Sequence, residues 1–484
     1  MELPVFLKSG EVARLFPVIS ETGKEQRAAS ILLAVLSAVP SYTDAVLGKV
    51  GQKISARTTI NTFTEVVFNT DDRASKQDRP DGLIQIERAG RQWNALIETK
   101  VGNNRLSSEQ IERYLRLARE NSINAVITIS NEFAALPHHH PIDVQKSLTK
   151  KVDLLHFSWA SLLTEAILLH ERAVVADSEQ AFLLREFIRF FSHTSAGVAR
   201  YTSMPKEWSA AVDRIHAGGT VPKHELAHDV VGGWHQELRD LVLYMSRVIG
   251  RPVTIKLSRS ESSDAERHLN DDIEKLCSQS LMEARLQIPN AASDIYVVAD
   301  LRSRTLRISM RLDAPRDKKS GKARLNWLLR QLTKVTDRDH VSVGLIWSSR
   351  AATSIYPLED LIENPEIADG SRPGSEIRAF DVVLTSASAR RFAGRRTFIE
   401  DLEQMAPGFY ESIGQHLRSW QPRPPKPKHS VIEHESQPTP SVSDPSEPKS
   451  EVPTLPPTHA GNAHSDLLEI PDYLRRSATL TARS

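Results

Sequence analysis

The sequence predicts an α/β protein followed by a second region of mixed α and β type and an extended tail. Three observations carry this. Short apolar runs of strand character are interleaved with apolar-periodic helical segments up to about residue 195, a second such series fills residues 205–420, and from Gln421 the composition turns abruptly to proline, serine and charge. A chain of 484 residues with 40% apolar content has room for two or three domains, each with its own core.

In chain order, the first helix is expected over Lys24–Val39, with Ala29, Leu32 and Leu36 forming its apolar stripe. Glu25 precedes these residues by four, seven and eleven positions and so falls on the same inward stripe, although Thr22-x-x-Glu25 also fits a capping box. Strands are expected near Phe63–Phe68, at Leu83–Glu87 and at Trp93–Val101, the second opened by the turn Arg79-Pro80-Asp81-Gly82. A helix over Ser107–Asn121, the apolar strand Ala125–Ser130, a strand at Val152–Phe157 and helices at Trp159–His170 and Ser178–Ser192 complete the first unit, residues 1–195. His138-His139-His140-Pro141, flanked by Leu-Pro and Pro-Ile, reads as an exposed loop.

The chemistry concentrates between residues 81 and 100. Side chains alternate along a strand, so Glu98 and Lys100 share a face while Thr99 points away. Ala95-Leu96-Ile97 runs straight into Glu98, which places an acid at the end of a buried strand, where acids are rare unless paired or bound to metal. Asp81, at the mouth of the neighbouring strand, can meet Glu98 across the pair. Two carboxylates and an ammonium at one point make a site for a hard cation such as Mg²⁺.

This arrangement resembles the PD-(D/E)XK nuclease superfamily, with Asp81, Glu98 and Lys100 in the motif positions. Gln110 and Tyr114, one turn apart on the Ser107 helix, resemble the glutamine–tyrosine pair of its RecB-type branch. The resemblance covers about residues 20–160. It implies a restriction-endonuclease-like αβββαβ core on a central mixed sheet and a nuclease that hydrolyses phosphodiester bonds of nucleic acid, with DNA expected before RNA. It further implies Mg²⁺ or Mn²⁺ held by Asp81, Glu98 and the Thr99 carbonyl, Lys100 orienting the attacking water, and Gln110 and Tyr114 positioning the substrate backbone. Members often place a further acid on the first helix, for which Glu25 is the better candidate and Glu21 the weaker. Ser107-x-x-Gln110 also fits a capping box, and Tyr114 also suits a core aromatic. Alternation leaves open which face Glu65 takes. The rival reading is a catalytically silent nuclease-like module or scaffold that binds nucleic acid or protein.

Composition narrows the remaining classes. Net charge is +1, so any nucleic-acid contact must come from local patches. The single Cys277 excludes intrachain disulfides and cysteine zinc sites. With no signal-peptide pattern and no run near the roughly 20 apolar residues of a membrane span, a soluble cytoplasmic protein is expected.

Residues 205–420 are expected to carry helices at Lys223–Ile249, Asp264–Ser278, Ala323–Lys334 and Thr397–Arg418, and strands at Pro252–Leu257, Asp294–Ala299, Leu306–Leu312, Val341–Trp347 and Ala379–Leu384. Arg316, Lys318, Lys319, Lys322, Arg324 and Arg330 cluster there, as a solvated loop or a grip for phosphates. Residues 421–463 are expected to be a disordered linker. Residues 464–484 carry an amphipathic island, 466–476, which reads either as a docking peptide for a protein partner or as a frayed terminus without function. Its Ile470-Pro471-x-Tyr473-Leu474-Arg475-Arg476 pattern resembles the C-terminal recruitment peptide of the division protein FtsZ.

Overall fold

A chain that reads as apolar strands interleaved with amphipathic helices must bury two sheet faces, and the computed structural model shows how. It describes residues 3–17, 23–69, 79–222, 226–348, 352–370, 375–386 and 389–422. Glu21, Thr22, nearly all of the 421–463 linker and the whole 464–484 peptide lie outside these.

The first sheet has six strands that lie side by side in chain order: β1 (Leu7–Val12), β2 (Thr59–Phe68), β3 (Gly82–Arg88), β4 (Arg91–Thr99), β5 (Ala125–Ser130) and β6 (Asp153–Ser158). β1 to β4 run antiparallel, and β5 and β6 then add in parallel, so the sheet is mixed. Helices α1 (Lys24–Ala38) and α2 (Pro40–Leu47) precede β2, while α4 (Trp159–Glu171) and α5 (Ser178–Ser192) follow β6. The parallel β4/β5 pair needs a crossover, which α3 (Ser108–Glu120) supplies.

Both faces of this sheet are covered. Ile84, Ala95, Ile97 and Ile127 pack on the side of α1, α2, α4 and α5. Leu83, Leu96 and Val126 pack on the side of α3 against Ile111, Tyr114 and Leu115. Strands buried on two faces read as continuous apolar runs, which is why β4 and β5 were visible in the sequence. At Gly82 a Cβ would sit 2.4 Å from Leu33 Cδ1 and 2.8 Å from the Phe63 carbonyl oxygen, so glycine is what lets α1 lie this close to the start of β3.

The second sheet is antiparallel throughout, in the order β12-β11-β13-β10-β9-β8-β7. Its strands are β7 (Thr254–Ile255), β8 (Leu281–Gln287), β9 (Ile295–Asp300), β10 (Thr305–Asp313), β11 (Val341–Trp347), β12 (Ser354–Pro357) and β13 (Ile377–Thr385). Helices α6 (Glu207–His216), α7 (Leu226–Ile249) and α9 (Ala265–Gln279), with a C-terminal helix at Arg395–Ser412, contribute to one core that extends from Met204 to Leu417, while the short α8 (Arg259–Ser263) buries no residue. The two sheets thus have separate cores, yet up to Trp420 the chain forms one compact unit. Polar bonds stitch the halves: Phe133 exchanges backbone bonds with the Gln236 amide at 2.9 and 3.1 Å, and Arg247 Nη1 donates to Thr164 Oγ1 at 2.7 Å.

Several expectations are corrected. β8 fills a stretch for which no element is expected: Leu-Met-Glu-Ala-Arg-Leu-Gln are good helix formers, yet Met282, Ala284 and Leu286 alternate into the core and make it a strand. The helix expected to Lys334 ends at Leu329. The histidine loop is not wholly exposed: His139 is buried, and His140 Nε2 lies 2.8 Å from Thr128 Oγ1, which also meets His156 Nδ1 at 2.8 Å. Buried polar groups need partners, and His140 supplies one to Thr128. Of the basic cluster, Arg324 is spent on the Lys318 and Ile377 carbonyls, at 2.8 Å each, and Lys322 on Glu366. Arg316, Lys318, Lys319 and Arg378 line a cleft of about 800 Å³, with Asp313 and Glu376 opposing them.

Candidate active site

In the β3/β4 ladder Leu83 pairs with Leu96 and Gly82 with Ile97, so the register sets Asp81 opposite Glu98. Glu98 has the parity of Leu96 and faces the α3 side at 2% exposure. Thr99 turns to the α1 side. Its N–H and its hydroxyl both donate to Asp81 Oδ2, each at 2.7 Å, and the hydroxyl also lies 3.3 Å from the Glu25 carbonyl. One threonine therefore ties β4, the β3 approach and the start of α1 together, and leaves Asp81 Oδ1 as the oxygen available to a cation.

Lys100 sits just past β4 with its backbone pinned on both sides: its N–H donates to the Ile129 carbonyl at 2.7 Å, and its carbonyl accepts from Trp159 Nε1 at 2.8 Å. Its ammonium pairs with Glu98 Oε1 and lies 3.7 Å from Glu25 Oε2. Glu25, in the first turn of α1, accepts from Asn104 Nδ2 at 2.9 Å. The three acids and the lysine predicted from sequence thus converge at one end of the central strands β3 and β4.

Electrostatics are those of acids crowded out of water. Burial, then the Asp81 charge, pushes the Glu98 carboxyl up to about 8 against the pull of Lys100. Burial likewise raises Asp81, with the Thr99 bonds opposing. Burial pulls the Lys100 ammonium down, but Glu98, Glu25 and Asp81 outweigh it and hold it above its ordinary value. Glu98 Oε2 is buried and has no hydrogen-bond partner. A buried carboxylate oxygen without a donor is costly unless a cation meets it. The donor set here is all oxygen, which suits Mg²⁺ or Mn²⁺.

Gln110 and Tyr114 are together on α3, and the Gln110 capping box does not form. Gln110 Nε2 donates to the Tyr114 hydroxyl at 3.0 Å, and that hydroxyl donates to the Arg79 carbonyl at 3.0 Å, two residues before Asp81. Burial first and the Glu98 charge second raise the Tyr114 phenol well above its usual value. Glu65 is excluded from the site: it is exposed, at φ 52°, where the β1/β2 register shifts.

A cleft of about 600 Å³ opens beside these strand ends and reaches the cluster at Glu25 and Asp81, bounded by the first turn of α1, the turn Val101–Asn104 and the segment Thr194–Gly197. That last wall was missed from sequence. Gly102 N–H donates to the Gly197 carbonyl at 2.9 Å, and Asn131 Nδ2 bridges the Gly102 and Gly197 carbonyls at 3.0 and 2.7 Å. A Cβ at Gly197, whose φ is +74°, would lie 2.9 Å from the Gly102 nitrogen. Neither a protein-family model nor a curated protein matches the chain. No single helix among the described residues is long and apolar enough to cross a membrane.

Proposed function

We propose that the protein is a metal-dependent nuclease of the PD-(D/E)XK type, acting on phosphodiester bonds of nucleic acid, DNA first. One observation carries this: Asp81, Glu98 and Lys100 meet at the ends of two paired strands, with the Glu98 carboxylate buried there. The order α1, β2, β3, β4, α3, β5 on a mixed sheet supports a restriction-endonuclease-like core.

Asp81 and Glu98, with the Thr99 carbonyl, would hold Mg²⁺ or Mn²⁺, and Glu25, whose Oε2 lies 3.7 Å from the Lys100 ammonium, is the further acid that could join the set. When bound, such a cation supplies Lewis-acid polarisation of a phosphate oxygen and a water of lowered pKa. Lys100, held in its charged form by the acids around it, faces the same point and stabilises charge that builds on the phosphate in the transition state. The Tyr114 hydroxyl is committed to Arg79, so we assign Gln110 and Tyr114 to fixing the approach to Asp81.

The test is cleavage by the purified chain of single- and double-stranded DNA and RNA, with Mg²⁺, Mn²⁺ or chelator. Cutting that needs the divalent ion and stops in chelator supports the reading. Absence of cutting under every metal condition would replace it with a nuclease-like binding module.

A further inference from the structure

A second cluster, in the other half of the molecule, plays no part in the site above. His268 and Asp272 are four residues apart on α9 and so share a face, and His235 comes from α7, against which α9 packs. His235 Nε2 lies 2.8 Å and His268 Nε2 3.2 Å from the same oxygen, Asp272 Oδ2. The two rings are stacked, with centroids 4.3 Å apart and planes 16° apart. One ligand atom from each residue falls within 4.8 Å of the others. Asp272 Oδ1 faces Lys275 Nζ at 3.5 Å, so the carboxylate is oriented from behind while Oδ2 points between the imidazoles. His235 and Asp272 are buried, and His268 is nearly so on the solvent side.

We propose that His235, His268 and Asp272 form a binding site for a borderline divalent transition metal, Zn²⁺ above all, which clamps α7 to α9. Two imidazoles and one carboxylate are a donor set that Zn²⁺ accepts and that Mg²⁺, with its demand for oxygen, does not favour. Three protein ligands leave the fourth position to water. Metal would take the place of the Nε2···Oδ2 contacts once the stacked rings turn so that each Nε2 lone pair meets the ion, with each neutral ring carrying its proton on Nδ1. The Lys275 contact to Oδ1 is an outer partner that fixes ligand orientation. This site is independent of the nuclease reading, because none of its residues lies in the strand-end cleft.

The experiment uses the full-length chain, stripped with chelator, dialysed and titrated with Co²⁺ and Zn²⁺. One equivalent of Co²⁺ should produce the intense visible absorption of a four-coordinate nitrogen/oxygen site, which an octahedral all-oxygen complex at Asp81 and Glu98 does not give. Mg²⁺ should leave that band in place, and His268→Gln should weaken Zn²⁺ binding by at least about 10–100-fold. Zn²⁺ should also raise the melting temperature of the wild type and not of His268→Gln. In the wild type, ring ¹⁵N spectra should show two histidines moved by Zn²⁺, a reading that does not depend on a variant folding. No intense band, no shifted histidine pair, or equal Zn²⁺ affinity in a folded His268→Gln chain overturns the site.

Discussion

The two sheets bury themselves differently, and the difference explains where chemistry can sit. In the first, neighbouring residues on β4 such as Leu96 and Ile97 are both buried, on opposite faces. In the second, burial alternates: Ile308 and Met310 of β10 are inside, while Ser309 and Arg311 face outward, and Arg311 pairs with Asp381 of β13 at 3.1 Å. A polar group on the second sheet can simply face water. An acid at the end of a doubly covered strand has no such exit, so Glu98 is driven to a raised pKa and an ion pair.

The sharpest way to break this contrast is Lys100→Ala. If the buried edge is catalytic, cleavage should fall by about 100-fold or more in single-turnover assays while Mn²⁺ binding persists. Equal rates would reduce the cluster to a structural ion pair. Next, Asp81→Ala should abolish the Mn²⁺ binding heat of the wild type in calorimetry, and unchanged heat would remove Asp81 from the metal set.

Packing offers a test free of any assay for activity. Leu96→Ala and Ile97→Ala should each destabilise by about 2–5 kcal/mol in urea unfolding, because both faces of β4 are filled. On β10, Ile308→Ala should cost a similar amount and Ser309→Ala within about 0.5 kcal/mol. Equal costs along β10 would show that its outer face is covered too.

The smallest effect is a graded one. A cation needs ionised Glu98, whose carboxyl is raised to about 8, so protons compete with metal below that pH. Mn²⁺ affinity should therefore rise about tenfold per pH unit up to pH 8 and level off above it, measured by calorimetry between pH 6 and 9. A flat profile would mean that Glu98 ionises in its ordinary range and is not confined as described.

How much of this was legible in the sequence depended on whether the cause was local. Ala95-Leu96-Ile97-Glu98 announces a buried strand that ends in an acid, and the Asp81 turn is close enough in sequence to pair with it. Period-two alternation correctly put Glu98 and Lys100 together. β8 was not assigned because its residues favour helix, and it takes pairing with β7 and β9 and the burial of Met282, Ala284 and Leu286 to override them. The double duty of Thr99 could not be read, since it depends on a helix start 74 residues earlier. His268 and Asp272 have helical spacing that sequence shows, but their partner His235 arrives only when α7 packs on α9.

The Thr194–Gly197 wall has a consequence for how the protein comes into being. The acids, the lysine and the glutamine–tyrosine pair are all made by residue 114, whereas the segment that bonds Gly102 and closes the cleft is made some eighty residues later. A growing chain therefore holds the complete motif for a long stretch of synthesis before its cleft has a far side. A fragment cut to the motif alone, ending before Thr194, carries the charges without that wall beside them.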